Sequence, residues 1–194
     1  MLRLFVGLEL PSDTKQQLIT LRTELTDAKW QTEEQLHLTL CFIGNVDDEQ
    51  LDAIYEELYR VTLAPFRLAV NEVGLFGSPL HPQNLWAGVA PESPVKALHE
   101  AIHERMAPLG VSPPEKPFRP HVTLARFRRR RSRQPLIRPD RKTEMPVIEH
   151  FLERHKQLAL PDFHVGHFSL FSSTQRPEGS HYQVIGRFPS DGFD

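Results

Sequence analysis

The sequence of 194 residues has a single cysteine, Cys41. One thiol cannot form an internal disulfide, and it cannot supply a cysteine-based zinc site. No apolar run approaches the roughly 18 residues that a membrane-spanning helix requires. The apolar stretch at the N-terminus is too short for a secretory signal. We therefore expect a cytoplasmic protein without internal disulfides.

The sequence also lacks a large excess of charge of either sign, because 23 basic residues nearly balance 25 acidic ones and leave a formal net charge of −2. With 39% hydrophobic and 25% charged residues, the composition is typical of a soluble globular protein. The charge is uneven, however, since residues 126–133 form a basic block rich in arginine. Its arginines at 128–133 either attract RNA phosphates or belong to a solvated loop.

Two four-residue strings share the pattern histidine, apolar residue, threonine, apolar residue. They are residues 37–40 (His-Leu-Thr-Leu) and 121–124 (His-Val-Thr-Leu). Each lies in a run typical of a β-strand, in which alternate side chains point to opposite faces. The histidine and threonine of each string should therefore share one face, while the apolar residues enter the core. One copy alone is equally typical of an exposed edge strand, so the repetition is what indicates a site.

The order of predicted elements repeats as well. Residues 2–63 and residues 85–158 each contain a strand, a helix, a motif strand and a second helix. Helices are predicted to begin near residues 12, 47, 93 and 147, the first, third and fourth ending near residues 27, 109 and 158. Strands are predicted at residues 2–8, 35–43, 66–73, 85–89, 121–127, 163–172 and 181–188. This order favours α/β or α+β packing, and two halves related by a pseudo-two-fold axis would place the motif strands opposite one another.

Histidine and threonine in this arrangement fit acid–base chemistry on a phosphate. The unperturbed pKa of histidine is about 6.5, so near neutral pH one ring can be neutral and the other protonated. His37 and His121 can thus act as an acid and a base. The hydroxyls of Thr39 and Thr123 can donate hydrogen bonds to the non-bridging phosphate oxygens, where charge accumulates in the transition state.

These motifs resemble those of the two-histidine (2H) phosphoesterase superfamily. Residues 118–126 read Phe-Arg-Pro-His-Val-Thr-Leu-Ala-Arg around the second motif. The resemblance becomes more specific with three further segments, which are residues 3–6, residues 36–44 and the closing strand around Tyr182. They are similar to the RNA 2′,3′-cyclic phosphodiesterases of bacteria and archaea, also called 2′-5′ RNA ligases. The resemblance spans nearly the whole chain.

The resemblance implies one bilobal α+β domain over residues 1–194, in which two antiparallel sheets line a central cleft and helices lie outside. It implies hydrolysis of 2′,3′-cyclic phosphate RNA ends to 2′-phosphate ends without metal or other cofactor. His37 would give a proton to the leaving oxygen and His121 would accept one from water, although a pseudo-symmetric site leaves the exchanged roles open. Reversal with an RNA 5′-hydroxyl would make a 2′-5′ linkage. We expect a monomer, with tRNA fragments among the candidate substrates.

The neighbouring candidates depend on strand alternation. Arg126 can bind phosphate through two parallel donors, but strict alternation directs it away from His121 unless the strand ends or bulges there. Phe5 can either stack on a base or lie in the core. Phe42 alternates with the apolar motif residues and is predicted in the core, and Tyr182 is more simply a sheet residue than a substrate ligand.

Three alternative interpretations of the site are open from the sequence. The site can act on a small cyclic nucleotide instead of RNA, although the arginine block favours RNA. The chain can also be a non-catalytic module that binds RNA ends, but the intact histidines and threonines argue against it. His99 and His103 have a spacing that zinc ligands use on helices, and surface histidines are the simpler interpretation.

Overall fold

The computed structural model describes residues 1–25, 27–128 and 140–189, and for residues 140–146 the backbone alone. These residues contain nine strands, four α-helices and short 3-10 helices at Glu33–Gln35 and Ala107–Leu109. The strands are β1 Leu2–Glu9, β2 Ala28–Trp30, β3 His37–Val46, β4 Phe66–Ser78, β5 His81–Ala90, β6 His121–Phe127, β7 Phe163–Val165, β8 Phe168–Arg176 and β9 Gly179–Phe188. The helices are α1 Ser12–Ile19, α2 Asp48–Tyr59, α3 Glu92–Met106 and α4 Asp140–His155.

The strands follow one antiparallel path in the order β7-β4-β5-β6-β3-β1-β8-β9, with β2 paired to β6. The motif strands β3 and β6 are neighbours at the centre, where they join through a single register pair, Leu38 with Val122. Beyond this pair, the edge of β6 is taken by β2, so the two halves of the path diverge. The α+β class is confirmed, and the two predicted sheets are the two halves of this path.

The halves exchange strands. The order β1–α1–β3 matches the order β5–α3–β6, and in both cases the first strand pairs antiparallel with the motif strand. Strand β4 follows α2 of the first repeat but pairs with β5 of the second. Strand β8 follows α4 of the second repeat but pairs with β1 of the first. Each half of the sheet is therefore completed by a strand that follows the other repeat in the chain.

The core lies on the side of the motif strands opposite to their histidines. One buried cluster contains the apolar residues of both motifs and residues from all four helices. Its members include Leu38, Leu40, Val122 and Leu124 from the motifs and Leu18, Leu58, Ile102 and Phe151 from the helices. Full burial of such a side chain contributes roughly 1.5–3 kcal/mol to stability, so alternation along the motif strands fixes which face receives the helices. Within the described residues, no helix is long and apolar enough to cross a membrane.

The starts of α1, α2 and α3 agree with the sequence, but α4 begins at Asp140 instead of near residue 147, and the predicted strand over residues 163–172 is divided into β7 and β8. Helix α2 begins after Asp47, as expected, because Asp47 and Gln50 form a reciprocal capping box with N···O distances of 2.9 and 3.0 Å. Helix α1 ends at Ile19 instead of near residue 27, because the following N–H groups bond to carbonyls three residues earlier. Leu25 still packs on the core from a non-helical segment. Strand β2 was not predicted, since three residues carry no periodicity.

Candidate active site

The two motif histidines are oriented in the same way. Nδ1 of His37 lies 2.7 Å from the carbonyl oxygen of Gln35, and Nδ1 of His121 lies 2.7 Å from that of Arg119. A carbonyl oxygen only accepts hydrogen bonds, so in each ring Nδ1 is the nitrogen that carries the proton. In the neutral rings the lone pair is therefore on Nε2, which is the nitrogen available for proton exchange.

The motif threonines lie on the histidine side of their strands. Oγ1 of Thr39 is 2.8 Å from Nε2 of His37, and because Nδ1 holds the ring proton, the hydroxyl donates to Nε2. Thr123 occupies the matching position on β6, and both threonines are half-buried between fully buried apolar residues. The structure thus brings Thr39 and Thr123 to the faces that carry His37 and His121.

A β-bulge lies at the last residue of each motif. In β3, Leu40 is the extra residue relative to β1, and Leu40 and Cys41 are both buried. In β6, Leu124 is the extra residue relative to β5, and Leu124 and Ala125 are both buried. Because a bulge adds one residue to one strand, the alternation of side chains reverses beyond it.

The bulges direct the next residue of each strand into the cleft. Arg126 follows the second bulge and lines the same cavity as His37, and its charge lowers the pKa of both His37 and His121. The sequence predicted that Arg126 could reach the cleft only if the strand ended or bulged there, and this is that bulge. Phe42 is its counterpart after the first bulge. The expectation that Phe42 lies in the core is wrong, because its side chain is 67% exposed and lines the cavity.

The bulge carbonyls have different hydrogen-bond partners. The carbonyl of Leu124 accepts from the backbone N–H of Gln31 at 2.8 Å. The carbonyl of Leu40 accepts from Nδ1 of His99, on α3, at 2.7 Å. The His99 ring is 8% exposed and stacks on Phe118 with centroids 3.8 Å apart and an interplanar angle of 5°. The first motif strand is therefore supported from behind by a buried imidazole.

This role of His99 corrects the expectation of a surface histidine. His99 and His103 are adjacent, with ring centroids 4.4 Å apart. Among the residues that the structure describes, no group of three or more His, Cys, Asp or Glu side chains could hold a metal ion. The Nδ1 of His99 is already engaged by a strand carbonyl, so the helical His-x-x-x-His spacing here serves packing.

Burial dominates the electrostatics of the two histidines. The pKa of His37 is lowered to about 4, mainly by burial and in smaller part by the positive charges of Arg126, His121 and Lys15, while the hydrogen bond to the Gln35 carbonyl opposes them. Burial also lowers the pKa of His121, again against its carbonyl hydrogen bond. Both rings are therefore mainly neutral in the free protein at neutral pH.

A cavity of about 350 Å³ opens beside His37. Phe5, Phe42 and Tyr182 form an aromatic wall, in which Tyr182 meets the Phe5 ring edge-on at 5.0 Å. Phe5 itself is only 4% exposed and stacks on Phe171 at 4.8 Å, so it belongs to both the core and the wall. The other described lining residues are Arg3, Leu4, Lys29, Gln31, Gln35, Gly44, Arg126, Ser173, Gln175 and Ser180.

The surroundings of His121 are also aromatic. The edge of Phe76 meets His121 with centroids 4.9 Å apart, and the Trp86 ring lies 6.4 Å away. The guanidinium of Arg119 is 4.5 Å from the Trp86 ring centroid. Strand alternation missed Phe76, Trp86 and Lys29 because they lie on strands without a motif. It could not place Arg119, which lies in the loop before β6. Of the arginine block, residues 129–133 lie outside the described part of the chain.

Comparisons with known proteins agree on one family. The chain matches the family model described as LigT like Phosphoesterase over residues 8–86 and 89–182. It is 28% identical over 190 residues to the RNA 2′,3′-cyclic phosphodiesterase of Archaeoglobus fulgidus, covering 96% of this chain and 99% of that protein. The Thermotoga maritima RNA 2′,3′-cyclic phosphodiesterase is also 28% identical over 190 residues, covering 95% and 93%. The crystal structure of Escherichia coli LigT complexed with 3′-AMP has a TM-score of 0.74 at 22% identity, with 96% of this chain and 97% of that chain covered.

Proposed function

Because the chain belongs to the LigT-like phosphoesterase family, we propose that it is an RNA 2′,3′-cyclic phosphodiesterase, the activity named for its Archaeoglobus and Thermotoga relatives. It opens a 2′,3′-cyclic phosphate at the 3′ end of RNA and leaves a 2′-phosphate. The observation that carries the proposal is the pair of histidines on neighbouring strands, each with Nδ1 held by a carbonyl, so that Nε2 is the nitrogen that can exchange a proton.

The reaction needs one base and one acid. Water attacks phosphorus and loses a proton to Nε2 of His121. The bond from phosphorus to the 3′-oxygen breaks, and that oxygen takes a proton from Nε2 of His37. The hydroxyls of Thr39 and Thr123 donate to the non-bridging oxygens, and Arg126 offsets their negative charge. The five-membered cyclic phosphate is strained, so neither ATP nor a metal ion has to drive its opening.

The position of the cavity favours these roles over the exchanged ones. In an in-line displacement, the attacking and leaving oxygens lie on opposite sides of phosphorus. The leaving oxygen belongs to the ribose, and the cavity that can take a nucleoside opens beside His37. A ribose bound there brings its 3′-oxygen towards His37 and leaves the attacking water on the side of His121.

Substrate binding must also protonate the acid. A pKa of about 4 leaves His37 neutral in the free protein at neutral pH. A negative charge within about 4–6 Å favours the charged form of histidine and raises its pKa. The anionic phosphate supplies that charge and compensates Arg126. Binding is therefore coupled to proton uptake at His37, which prepares the acid only when a substrate is present.

The same site can run in reverse, with an RNA 5′-hydroxyl in place of water, and would then form a 2′-5′ linkage. Water greatly outnumbers RNA ends in solution, so hydrolysis is the expected direction. A small cyclic nucleotide is the alternative substrate, and the cavity beside His37 is large enough to take one.

The proposal is tested with EDTA-treated protein and an oligoribonucleotide that ends in a 2′,3′-cyclic phosphate. We expect a 2′-phosphate product, and we expect His37→Ala and His121→Ala to abolish turnover while binding remains measurable. Binding without turnover by the unaltered protein would instead support an RNA-end binding module. A metal requirement, a 3′-phosphate product or unchanged hydrolysis in either variant would contradict the mechanism.

A further inference from the structure

We propose that the cavity beside His37 contains a second phosphate subsite, formed by Lys29 and Arg3, which binds the phosphodiester immediately upstream of the cyclic phosphate. The inference rests on the proposed function and deepens it, because it makes an RNA chain a better substrate than a single nucleoside cyclic phosphate. The ligand chemistry is a phosphate anion joined to the 5′-oxygen of the terminal ribose.

The first observation is a pair of like charges on adjacent strands. Lys29 on β2 lies directly opposite Arg126 on β6 in the antiparallel register. Residues in such positions have Cβ atoms about 4.5–5.5 Å apart, and like charges there destabilise the sheet. Nζ of Lys29 donates to the backbone carbonyl of Glu178 at 2.8 Å, which holds it at the β8–β9 turn. A bound anion would offset the repulsion between the two cations.

The second observation is the charge of the whole cavity. The described residues that line it include three cations, Arg3, Lys29 and Arg126, and no carboxylate. Arg3 has uncharged cross-strand neighbours, Asn45 on β3 and Ser173 on β8. A nucleoside 2′,3′-cyclic phosphate carries a single negative charge, which three cations exceed. An RNA chain brings a further negative charge with each upstream phosphate.

The third observation is the order of these groups along the cavity. Arg126 lies on the motif strand β6 and lines the cavity, and its charge lowers the pKa of both histidines, so it belongs to the site of the cyclic phosphate. Phe5 stands beside the His37 ring, with centroids 4.8 Å apart, and offers a stacking surface for the terminal nucleoside. Arg3 lies two residues further along β1, about 6.6 Å in an extended strand. Strand β8 runs past Phe5 and then Arg3 to the turn in which the Glu178 carbonyl holds Nζ of Lys29. A phosphate beyond the terminal ribose would therefore meet Arg3 and the ammonium group of Lys29.

The experiment compares four substrates: adenosine 2′,3′-cyclic phosphate, its 5′-phosphorylated form, the ApA dinucleotide with a 2′,3′-cyclic phosphate, and the same dinucleotide with a neutral methylphosphonate linkage. We expect kcat/KM for the dinucleotide to exceed that of the plain nucleoside by about ten-fold or more, mainly through KM. The methylphosphonate should lose that gain, because it keeps the second nucleoside but removes the charge.

Variants then assign the gain to the two cations. Lys29→Gln and Arg3→Gln should each reduce the ratio of dinucleotide to nucleoside kcat/KM. Lys29→Arg keeps the positive charge, so its ratio should equal that of the unaltered protein. The matched control is Lys156→Gln, an exposed lysine that pairs with Glu153 and is not among the cavity residues; it should leave the ratio unchanged. Each lost phosphate contact should also flatten the dependence of log KM on log salt by about 0.7.

The outcomes separate this inference from the proposed function. Hydrolysis of the plain nucleoside cyclic phosphate with no gain from the upstream phosphate overturns the subsite and leaves the activity standing. A methylphosphonate as good as the phosphodiester also overturns it, because the gain then comes from the second base. If the 5′-phosphorylated nucleoside equals the dinucleotide, the phosphate subsite is supported and the preference for an RNA chain is overturned. Hydrolysis of none of the four contradicts the proposed function itself.

Discussion

Replacing His99 with phenylalanine should remove one hydrogen bond behind the first motif strand and little else. The imidazole is buried, stacks on Phe118 and donates from Nδ1 to the Leu40 carbonyl at 2.7 Å. Phenylalanine keeps an aromatic ring for the stacking but has no donor. Leu40 is the extra residue of the bulge, and its carbonyl also receives a hydrogen bond from His103. The variant therefore weakens the pairing of this carbonyl without leaving it unpaired.

The magnitude follows from the buried carbonyl. Leaving such an acceptor wholly unpaired costs about 1–3 kcal/mol. Because His103 still bonds to the Leu40 carbonyl, we expect the free energy of unfolding of His99→Phe to fall by about 1 kcal/mol, the usual net worth of one hydrogen bond. His99→Ala also removes the stacked ring and should cost more, about 3–5 kcal/mol, as for other aromatic truncations. His99→Asn should recover part of the loss, because its amide nitrogen can approach the position of Nδ1.

Urea unfolding measures these differences as shifts of the midpoint at constant slope. The matched control is His164→Phe, at an exposed position of β7, which should change stability by less than about 0.5 kcal/mol. Since the same bulge turns Phe42 into the cavity, KM should rise in His99→Phe. A variant as stable as the parent protein would refute the assignment of the Leu40 carbonyl to His99.

Three further predictions concern the charges around the histidines. In NMR titrations the pKa of His37 should be about 4 in the free protein and should rise when a 2′-phosphate product binds; an unchanged value would contradict coupled proton uptake. Arg126→Gln should lower kcat/KM by roughly 10²–10³-fold, the usual effect of losing one transition-state donor. It should also raise the pKa of His37 and His121, and chemical shifts that leave both values in place would place the arginine elsewhere. Because the unfolded chain binds a proton at His37 near pH 6.5 while the folded chain does so only near 4, stability should fall as pH drops through this window, by up to about 3 kcal/mol. His37→Gln should flatten that part of the stability curve.

The central features of the site could be predicted from the sequence because they follow strand alternation. A period of two residues places His37 and Thr39 on one face of β3, and His121 and Thr123 on one face of β6. In both strands the buried apolar residues lie on the opposite face, as the structure shows. The repeated order of elements likewise anticipated that the two motif strands would meet. These predictions rest on local geometry that every extended strand shares.

Alternation also explains the errors. Its period holds only until a strand gains an extra residue, and nothing in the local pattern marks Leu40 or Leu124 as that residue. Phe42 was therefore predicted in the core, and the direction of Arg126 was left open. His99 was missed for another reason, because its partner, the carbonyl of Leu40, is remote in the sequence and belongs to the backbone, which leaves no trace in side-chain spacing.

The exchange of strands between the repeats has a consequence for how the protein becomes active. His37 lies early in the chain, but the sheet half that carries it is completed by β8 and β9, which follow both motifs in the sequence. Tyr182 on β9 packs edge-on against the His37 ring, with centroids 5.2 Å apart. During synthesis the surroundings of His37 are therefore complete only after β8 and β9 have been made. A truncated polypeptide would contain both motifs and still lack one wall of the cleft, so that proteolytic loss of the C-terminal hairpin would silence the enzyme without touching either histidine.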